Sequence, residues 1–299
     1  MDKQKLYDKF IQEIKEKVRF LKDKPEETPE STLKSLWLAA AGTFRSAEAA
    51  LQEELPMLNE TQIDKLESLI SMRIDNVPLA YITGRQRFMG VELVADKRAL
   101  IPRKETEILG RKALELSKMI TEKVKPALVI DTCCGAGNLG VALAHLNPDL
   151  KVYATDLSHE AVELTKDNID LHDLSNRVTA VQGDFLSAFE NDDYYGKVDM
   201  IVCNPPYITS AKVKKMDEEI HSNEPDLAFD GGMLGIKLIQ KVISESPKFL
   251  KKGGWVTFEI GLGQGPFVLK FMQKSNKFLN IGTAEDTEGN IRTVFAQKA

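Results

Sequence analysis

Cysteine is scarce in this chain: three in 299 residues, two of them adjacent (Cys133, Cys134), with Cys203 the third. A disulfide framework is excluded, and reduced thiols fit a cytosolic protein. No run of eighteen apolar residues occurs, so no membrane-spanning helix is expected. The N-terminus, MDKQKLYDKFIQEIKEK, is charged throughout and lacks the apolar stretch of a secretory signal. A cytoplasmic location is the expectation. Positive charge is in deficit too, with a formal net charge of -5. Proteins whose affinity rests on phosphate contacts usually carry the opposite excess, so no direct, stable nucleic-acid binding is expected. One stretch departs from that balance. Residues 81–112 set Arg85, Arg87, Lys97, Arg98, Arg103, Lys104, Arg111 and Lys112 against Glu92, Asp96, Glu105 and Glu107. The plain reading is a solvated hairpin face; the sharper one is contact with an RNA-associated partner. Internal repeats and low-complexity segments are absent. What is present is 42% hydrophobic and 28% charged residues, enough for an ordinary core over a length that suits two domains.

The first eighty residues read as helices. Leu6, Phe10, Ile14 and Val18 recur every four residues and make one apolar stripe. Ser31 precedes a second run with Leu33, Leu36, Trp37 and Ala40, and Ser46 can cap a short third helix. Thr61 followed by Asp64 resembles a capping box that opens a fourth, through Leu66, Leu69 and Ile70. From residue 79 the sequence LAYITGRQRFMGVELVAD alternates apolar and polar, with Gly84 and Gly90 as turn or bulge points. The expected organisation is a helical bundle over 1–80, a β-hairpin linker over 81–102 and a third region, 103–299.

That third region alternates strand and helix. A helix near 105–120 leads into the strand ALVID (127–131), a helix (139–146) and the strand KVYATD (151–156). A helix (159–171), a strand (177–182) and the strand VDMIVC (198–203) follow. A long helix (233–250), the strand WVTFEI (255–260), a helix and two strands near 279–285 and 291–297 complete the pattern. Such interleaving predicts a mainly parallel, seven-stranded Rossmann-like α/β sheet with helices on both faces. Ligands in such sheets sit beyond the carboxyl ends of the strands.

At the first of those ends stands Asp131-Thr132-Cys133-Cys134-Gly135-Ala136-Gly137-Asn138. Gly135 and Gly137 let the backbone approach a ligand where a Cβ would clash. The next strand ends in Asp156, whose carboxylate can accept hydrogen bonds from two ribose hydroxyls. A dinucleotide site is an alternative for a glycine turn with such an acid, but the full G-x-G-x-x-G spacing is missing. A third turn, Gly183-Asp184-Phe185, offers Asp184 to an adenine amino group and Phe185 to the adenine face. The set suits S-adenosyl-L-methionine. The cysteines read as small apolar residues lining this loop rather than metal ligands, and no metal is expected.

The strand VDMIVC runs directly into Asn204-Pro205-Pro206-Tyr207. An amide nitrogen is a poor nucleophile, because its lone pair is delocalised into the carbonyl. A site that methylates it must hold the NH₂ group with that lone pair facing the methyl. The Asn204 side-chain oxygen and the Pro205 carbonyl can each take one N–H. Pro205 and Pro206 make these acceptors rigid, and Tyr207 offers a flat stacking face. Positioning and electrostatics supply the rate, with no dedicated general base. The tetrapeptide selects planar NH₂ groups, either glutamine or an exocyclic base amine, without choosing among them; Asn204 also borders the cofactor.

Several segments together resemble the protein-(glutamine-N5) methyltransferases of class 1 peptide-chain release factors, a class I methyltransferase family. Pro78 to Gly84 and Phe88-Met89-Gly90 look like that family's interdomain segment. Ile101-Pro102-Arg103-Lys104-Glu105-Thr106-Glu107 looks like its entry to the catalytic domain, with Arg103 a substrate contact. Glu224-Pro225-Asp226-Leu227-Ala228-Phe229-Asp230-Gly231-Gly232 looks like its substrate-side loop. The resemblance implies a release-factor glutamine within Gly-Gly-Gln as substrate, and an N-terminal domain that grips that partner. It also implies Cys133 to Gly137 as cofactor loop. Cys133 stands where the family commonly has glycine, Cys134 where it has a small hydroxyl residue, Lys104 where proline is frequent and Phe185 where tryptophan is common. A ribosomal-protein glutamine or a nucleic-acid amino group is the alternative substrate.

Overall fold

The computed structural model describes residues 2–206 and 236–299. Two compact units divide the chain, one built from residues 2–97 and 101–104, the other from 98–100, 105–206 and 236–299.

The first unit contains α1 (Lys3–Lys17), α2 (Pro29–Ala40), α3 (Ala47–Ala50), α4 (Glu60–Ile74) and α5 (Leu79–Thr83). The α1 stripe buries as its spacing predicts: Leu6, Phe10 and Ile14 share a core with Leu33, Leu36, Trp37, Leu66 and Ile70. Trp37 is fully buried, and its indole N–H donates to the Pro56 carbonyl at 2.9 Å, the polar partner a buried indole needs. Ser46 caps α3 as expected. Two other helix starts differ from expectation. Helix α2 is capped by Thr28, not Ser31: the Thr28 hydroxyl accepts the Ser31 N–H at 3.1 Å while the Ser31 hydroxyl accepts the Thr28 N–H at 2.8 Å. Helix α4 opens on Asn59 and Gln62, which close the same reciprocal box at 2.9 and 3.0 Å, rather than on Thr61 and Asp64. Asparagine caps as well as threonine, and glutamine has the reach to return to the cap N–H. Beneath the helices Arg73 and Glu27 form a buried ion pair at 3.2 Å.

The hairpin strands β1 (Arg85–Phe88) and β2 (Val91–Val94) pair antiparallel with Phe88 opposite Val91. The intervening Met89 and Gly90 both have positive φ (51 and 85°), which is the type I′ geometry that matches strand twist. The hairpin begins later than the alternation implied. Leu79–Thr83 instead form the single helical turn α5, introduced by Pro78 and ended by Gly84 at φ 65°. Over five residues the apolar positions satisfy either period, and the left-handed glycine decides for a helix end.

The second unit is a layered sheet. Helix α6 (Glu107–Thr121) precedes β3 (Ala127–Thr132), α7 (Asn138–Leu146), β4 (Leu150–Asp156), α8 (His159–Leu171), β5 (Val178–Gln182) and β6 (Val198–Cys203). Then come α9 (Lys237–Phe249), β7 (Leu250–Glu259), α10 (Gly265–Ser275), β8 (Phe278–Glu285) and β9 (Ile291–Lys298). The start of the expected 233–250 helix lies outside the described residues. Strand order is β5-β4-β3-β6-β7-β9-β8, parallel from β5 through β7, with β9 antiparallel to β7 and to β8. Every residue of β6 is buried, as a central strand covered on both faces requires. Ile130, Ile201, Val256, Phe258 and Val294 carry its core. Trp255 on β7 is half-buried beside Phe295, ring centroids 6.1 Å apart. Among the described residues no helix is long and apolar enough to cross a membrane.

Candidate active site

The strand order puts the carboxyl ends of β5, β4, β3 and β6 side by side on one edge. Three strand spacings separate the first from the last, roughly 14 Å. Asp184, Asp156, the 131–137 loop and Asn204 therefore lie in sequence along one rim, the arrangement their positions in the chain predicted.

The 131–137 loop is held from below. Asp131, next to last in β3, is fully buried, and its Oδ2 accepts the Gly140 N–H at 2.8 Å. Burial pushes its pKa up to about 7, against that N–H bond, with the Asp156 charge adding a smaller push. Gly135 donates its N–H to Asp156 Oδ2 at 2.9 Å, and Asp156 Oδ1 accepts from Ser158 N–H at 3.0 Å. A carboxylate has room for about four such bonds, so some acceptor capacity remains for a ribose hydroxyl. Burial also raises the Asp156 pKa, opposed by the backbone N–H groups of Ser158, Gly135 and Leu157. Helix α8 contributes two residues that sequence reading passed over. Thr165 donates to the Gly135 carbonyl at 2.9 Å, and Asn168 Nδ2 to the Ala136 carbonyl at 2.9 Å. They looked like ordinary polar helix positions; only the fold reveals that they face the loop.

Backbone conformation explains the glycines and one cysteine. Gly135 and Gly137 have φ of 56 and 75°, and a Cβ on Gly137 would stand 2.7 Å from Thr165 Cγ2. Cys133 is itself left-handed, at φ 58°, the physical reason glycine is favoured there. Cys134 and Cys203 are buried, and burial is the first cause pushing both thiols well above the usual range. They are neutral small side chains here, not thiolates. Among the described residues no group of three His, Cys, Asp or Glu is placed to hold a metal.

At the β5 end, Asp184, the expected adenine contact, is exposed and pairs with Lys241 Nζ at 2.8 Å. Phe185 is buried in the main core, with Lys241 Nζ 5.5 Å from its ring centroid. At the other end, Asn204 and Pro205 follow β6 directly. Asn204 Nδ2 donates to Thr106 Oγ1 at 3.3 Å, while its Oδ1 is buried with no hydrogen-bond partner among the described residues. An orphaned buried acceptor is costly unless something donates to it. In the sequence Thr106 stands out only as part of the 101–107 segment, with no part in the site.

Pro206 is partly exposed beyond Asn204 and Pro205; Tyr207 and the Glu224 to Gly232 loop lie outside the described residues. Arg103 belongs to the first unit, buried, with its guanidinium 3.8 Å from Asp23. Much of the basic stretch is paired: Lys104 with Glu48 at 2.7 Å, Arg98 with Asp167 at 2.6 Å, Arg111 with Glu107 at 2.7 Å, and Lys112 with Glu115 at 2.6 Å. Four of the eight basic side chains of that stretch thus stand within 2.7 Å of an acid.

Residues 113–236 match the methyltransferase small domain family. The chain is 32% identical to release factor glutamine methyltransferase of Geobacter sulfurreducens, over 79% of this chain and 79% of that protein. It is 32% identical to the protein of the same name from Clostridium acetobutylicum, over 80% and 81%. Among solved structures it is similar to the hMettl16 catalytic domain in complex with a 3'UTR hairpin (TM-score 0.54, 14% identity, 80% and 82% of the chains). Human methyltransferase 10 domain containing protein matches with TM-score 0.50 and 17% identity, over 69% and 88%. At such identities these two speak for the fold alone.

Proposed function

The chain belongs to the release factor glutamine methyltransferases, and from that premise we infer that it moves a methyl group from S-adenosylmethionine to the N5 amide nitrogen of the glutamine in a release factor's Gly-Gly-Gln tripeptide. The observation that carries this reading is the Asn204 Oδ1: a buried acceptor with no partner among the described residues, one strand along from a glycine loop.

The residues present fit the cofactor. Left-handed Gly135 and Gly137 keep a Cβ off the loop at two positions, the Asp156 carboxylate has acceptor capacity for the ribose, and Asp184 and Phe185 would stand at the adenine end. When bound, the cofactor would supply an electrophilic methyl from its sulfonium and leave as the neutral thioether, the methylated amide nitrogen giving up one proton to solvent. The chain does the rest by placement. Asn204 Oδ1 and the Pro205 carbonyl take the two N–H bonds of the substrate amide, which turns the nitrogen lone pair toward the methyl. Pro205 and Pro206 hold these acceptors without needing to reorganise, so their dipoles act fully as charge develops on nitrogen. Tyr207 would stack on the planar amide. Buried Asp131, Cys134 and Cys203 keep water from the loop's underside. Residues 1–80 with the hairpin linker 81–102 grip the release factor, Arg103 included, and 103–299 carry catalysis in the cytoplasm.

The test is the mass of a purified release factor after incubation with enzyme and S-adenosylmethionine. One added methyl group is expected on the Gly-Gly-Gln glutamine, and none once that glutamine is replaced by alanine. Methylation of free RNA or DNA, with the release factor unmodified, would overturn the assignment.

A further inference from the structure

Asparagine is a risky choice for a pure acceptor. Its terminal torsion is soft and roughly two-fold, so a half-turn exchanges oxygen for NH₂. Turned the wrong way, Asn204 would present N–H groups to the substrate's own N–H groups. Something must fix the orientation, and among the described residues one side chain bonds the Asn204 amide, that of Thr106. We propose that Thr106 is a positioning residue for methyl transfer, its hydroxyl holding Asn204 Nδ2 so that Oδ1 faces the substrate amide.

Three observations support this role, which rests on the function inferred above. First, Thr106 stands at the N-terminal boundary of α6, where a threonine would ordinarily spend its hydroxyl on the helix's free N–H groups. Here its backbone is helical, with φ -66 and ψ -17°, and no side-chain cap bond forms. The hydroxyl accepts from Asn204 instead, at 3.3 Å. Second, with Nδ2 on the hydroxyl, Oδ1 is left open to receive a donor; the reverse would set Oδ1 on the hydroxyl and turn the NH₂ toward the substrate's own N–H groups, which cannot satisfy it. Third, Thr106 is itself clamped. It is buried, and its carbonyl accepts the Gly110 N–H at 3.0 Å. Glu105, the residue before it, meets Arg292 at 3.0 Å, and Arg292 lies 3.6 Å from Glu259 at the end of β7. Strand β7 pairs with β6 through Phe258 and Cys203. The clamp and the amide it orients thus hang from adjacent strand ends.

The experiment measures steady-state methylation of release factor by full-length variants. Thr106→Val keeps the shape and removes the acceptor. It should lower kcat roughly tenfold, the worth of one ordinary hydrogen bond or slightly more. KM for S-adenosylmethionine and the melting temperature should hardly move, and Thr106→Ser should restore turnover. In an Asn204→Ala background the valine change should add nothing, because the group it orients is gone. Should the valine variant fail to fold, Thr106→Ala enters the same cycle. Wild-type turnover in Thr106→Val, a full penalty persisting without Asn204, or no rescue by serine each overturns the role while leaving the substrate reading intact. A wild-type enzyme that leaves the release factor unmodified removes both.

Discussion

The two ends of the rim are built in different ways. At the cofactor end the backbone loop is already closed on itself: Asp156 takes the Gly135 N–H, Thr165 and Asn168 take the loop carbonyls, and all these residues lie within a few dozen positions. At the acceptor end the decisive atom, Asn204 Oδ1, has no partner among the described residues, and its amide is tied to a threonine 98 positions earlier. A small ligand that never varies can be met by a preformed cradle. In the function proposed above, a glutamine delivered on another protein meets an acceptor that has no partner among the described residues. Burying that acceptor unpaired is costly until a donor reaches it, and the substrate's N–H would be that donor.

The most severe way to break this contrast is at the acceptor. Asn204→Ala should reduce turnover by about 10²-fold or more, the usual loss for one preorganised polar group, with S-adenosylmethionine affinity nearly unchanged in titration calorimetry. Collapse of cofactor binding with surviving turnover would reverse the two ends. The complementary change, Asp156→Ala, should weaken cofactor binding by ~2–3 kcal/mol, since bonds to a charged acceptor are worth about that much. Unaltered affinity would show that Asp156 serves only the Gly135 and Ser158 N–H groups.

Gentler changes sharpen the contrast. Gly137→Ala must place a Cβ 2.7 Å from Thr165 Cγ2 in a left-handed conformation. The Thr165 side chain that would have to move also holds the Gly135 carbonyl. A stability loss of about 1–3 kcal/mol is expected in urea titration, together with weaker cofactor binding. Asp131 makes a pH prediction. Its pKa is raised to about 7 by burial, so its contribution to stability is present below the usual carboxylate range and is lost as pH climbs through about 7. Asp131→Asn cannot ionise, and it should gain on wild type by up to ~2–4 kcal/mol between pH 5 and 8. Equal pH profiles would mean that Asp131 is ionised throughout. The smallest effect belongs to Cys133→Gly. Relief of the left-handed cysteine is offset by a more flexible unfolded chain, so stability should shift by less than ~1 kcal/mol with methylation intact.

The same contrast explains what could be read from the chain. The strands bearing Asp131, Asp156 and Cys203 were legible because they are short, mainly apolar runs, and an acid or asparagine at or just past their carboxyl ends stands out. The roles of Thr165 and Asn168 were not, since polar residues on α8 look alike until the loop is laid over one face. Thr106 was hidden by disguise: a threonine opening a helix reads as a cap, and nothing local says that its hydroxyl points elsewhere. The sequence places the helix starts two or three residues late, at Ser31 for α2 and as a Thr61–Asp64 capping box for α4, because Thr28 and Ser31, or Asn59 and Thr61, are comparably good caps on composition. The hairpin entry failed where five residues were too few to separate two periods.

The chain's two tryptophans fall one to each unit. Trp37 is sealed among the α1, α2 and α4 side chains with its N–H on a carbonyl, while Trp255 stands half-open on a sheet strand. An indole in an apolar shell emits to the blue of one that water reaches, so the molecule carries a separate optical reporter for each of its parts. Replacing either tryptophan with phenylalanine leaves a single fluorophore. Denaturation followed by the two remaining signals then tells whether the helical unit and the sheet melt in one transition or in two. Added S-adenosylmethionine should raise the midpoint seen by Trp255; that seen by Trp37 will follow only if the units unfold together.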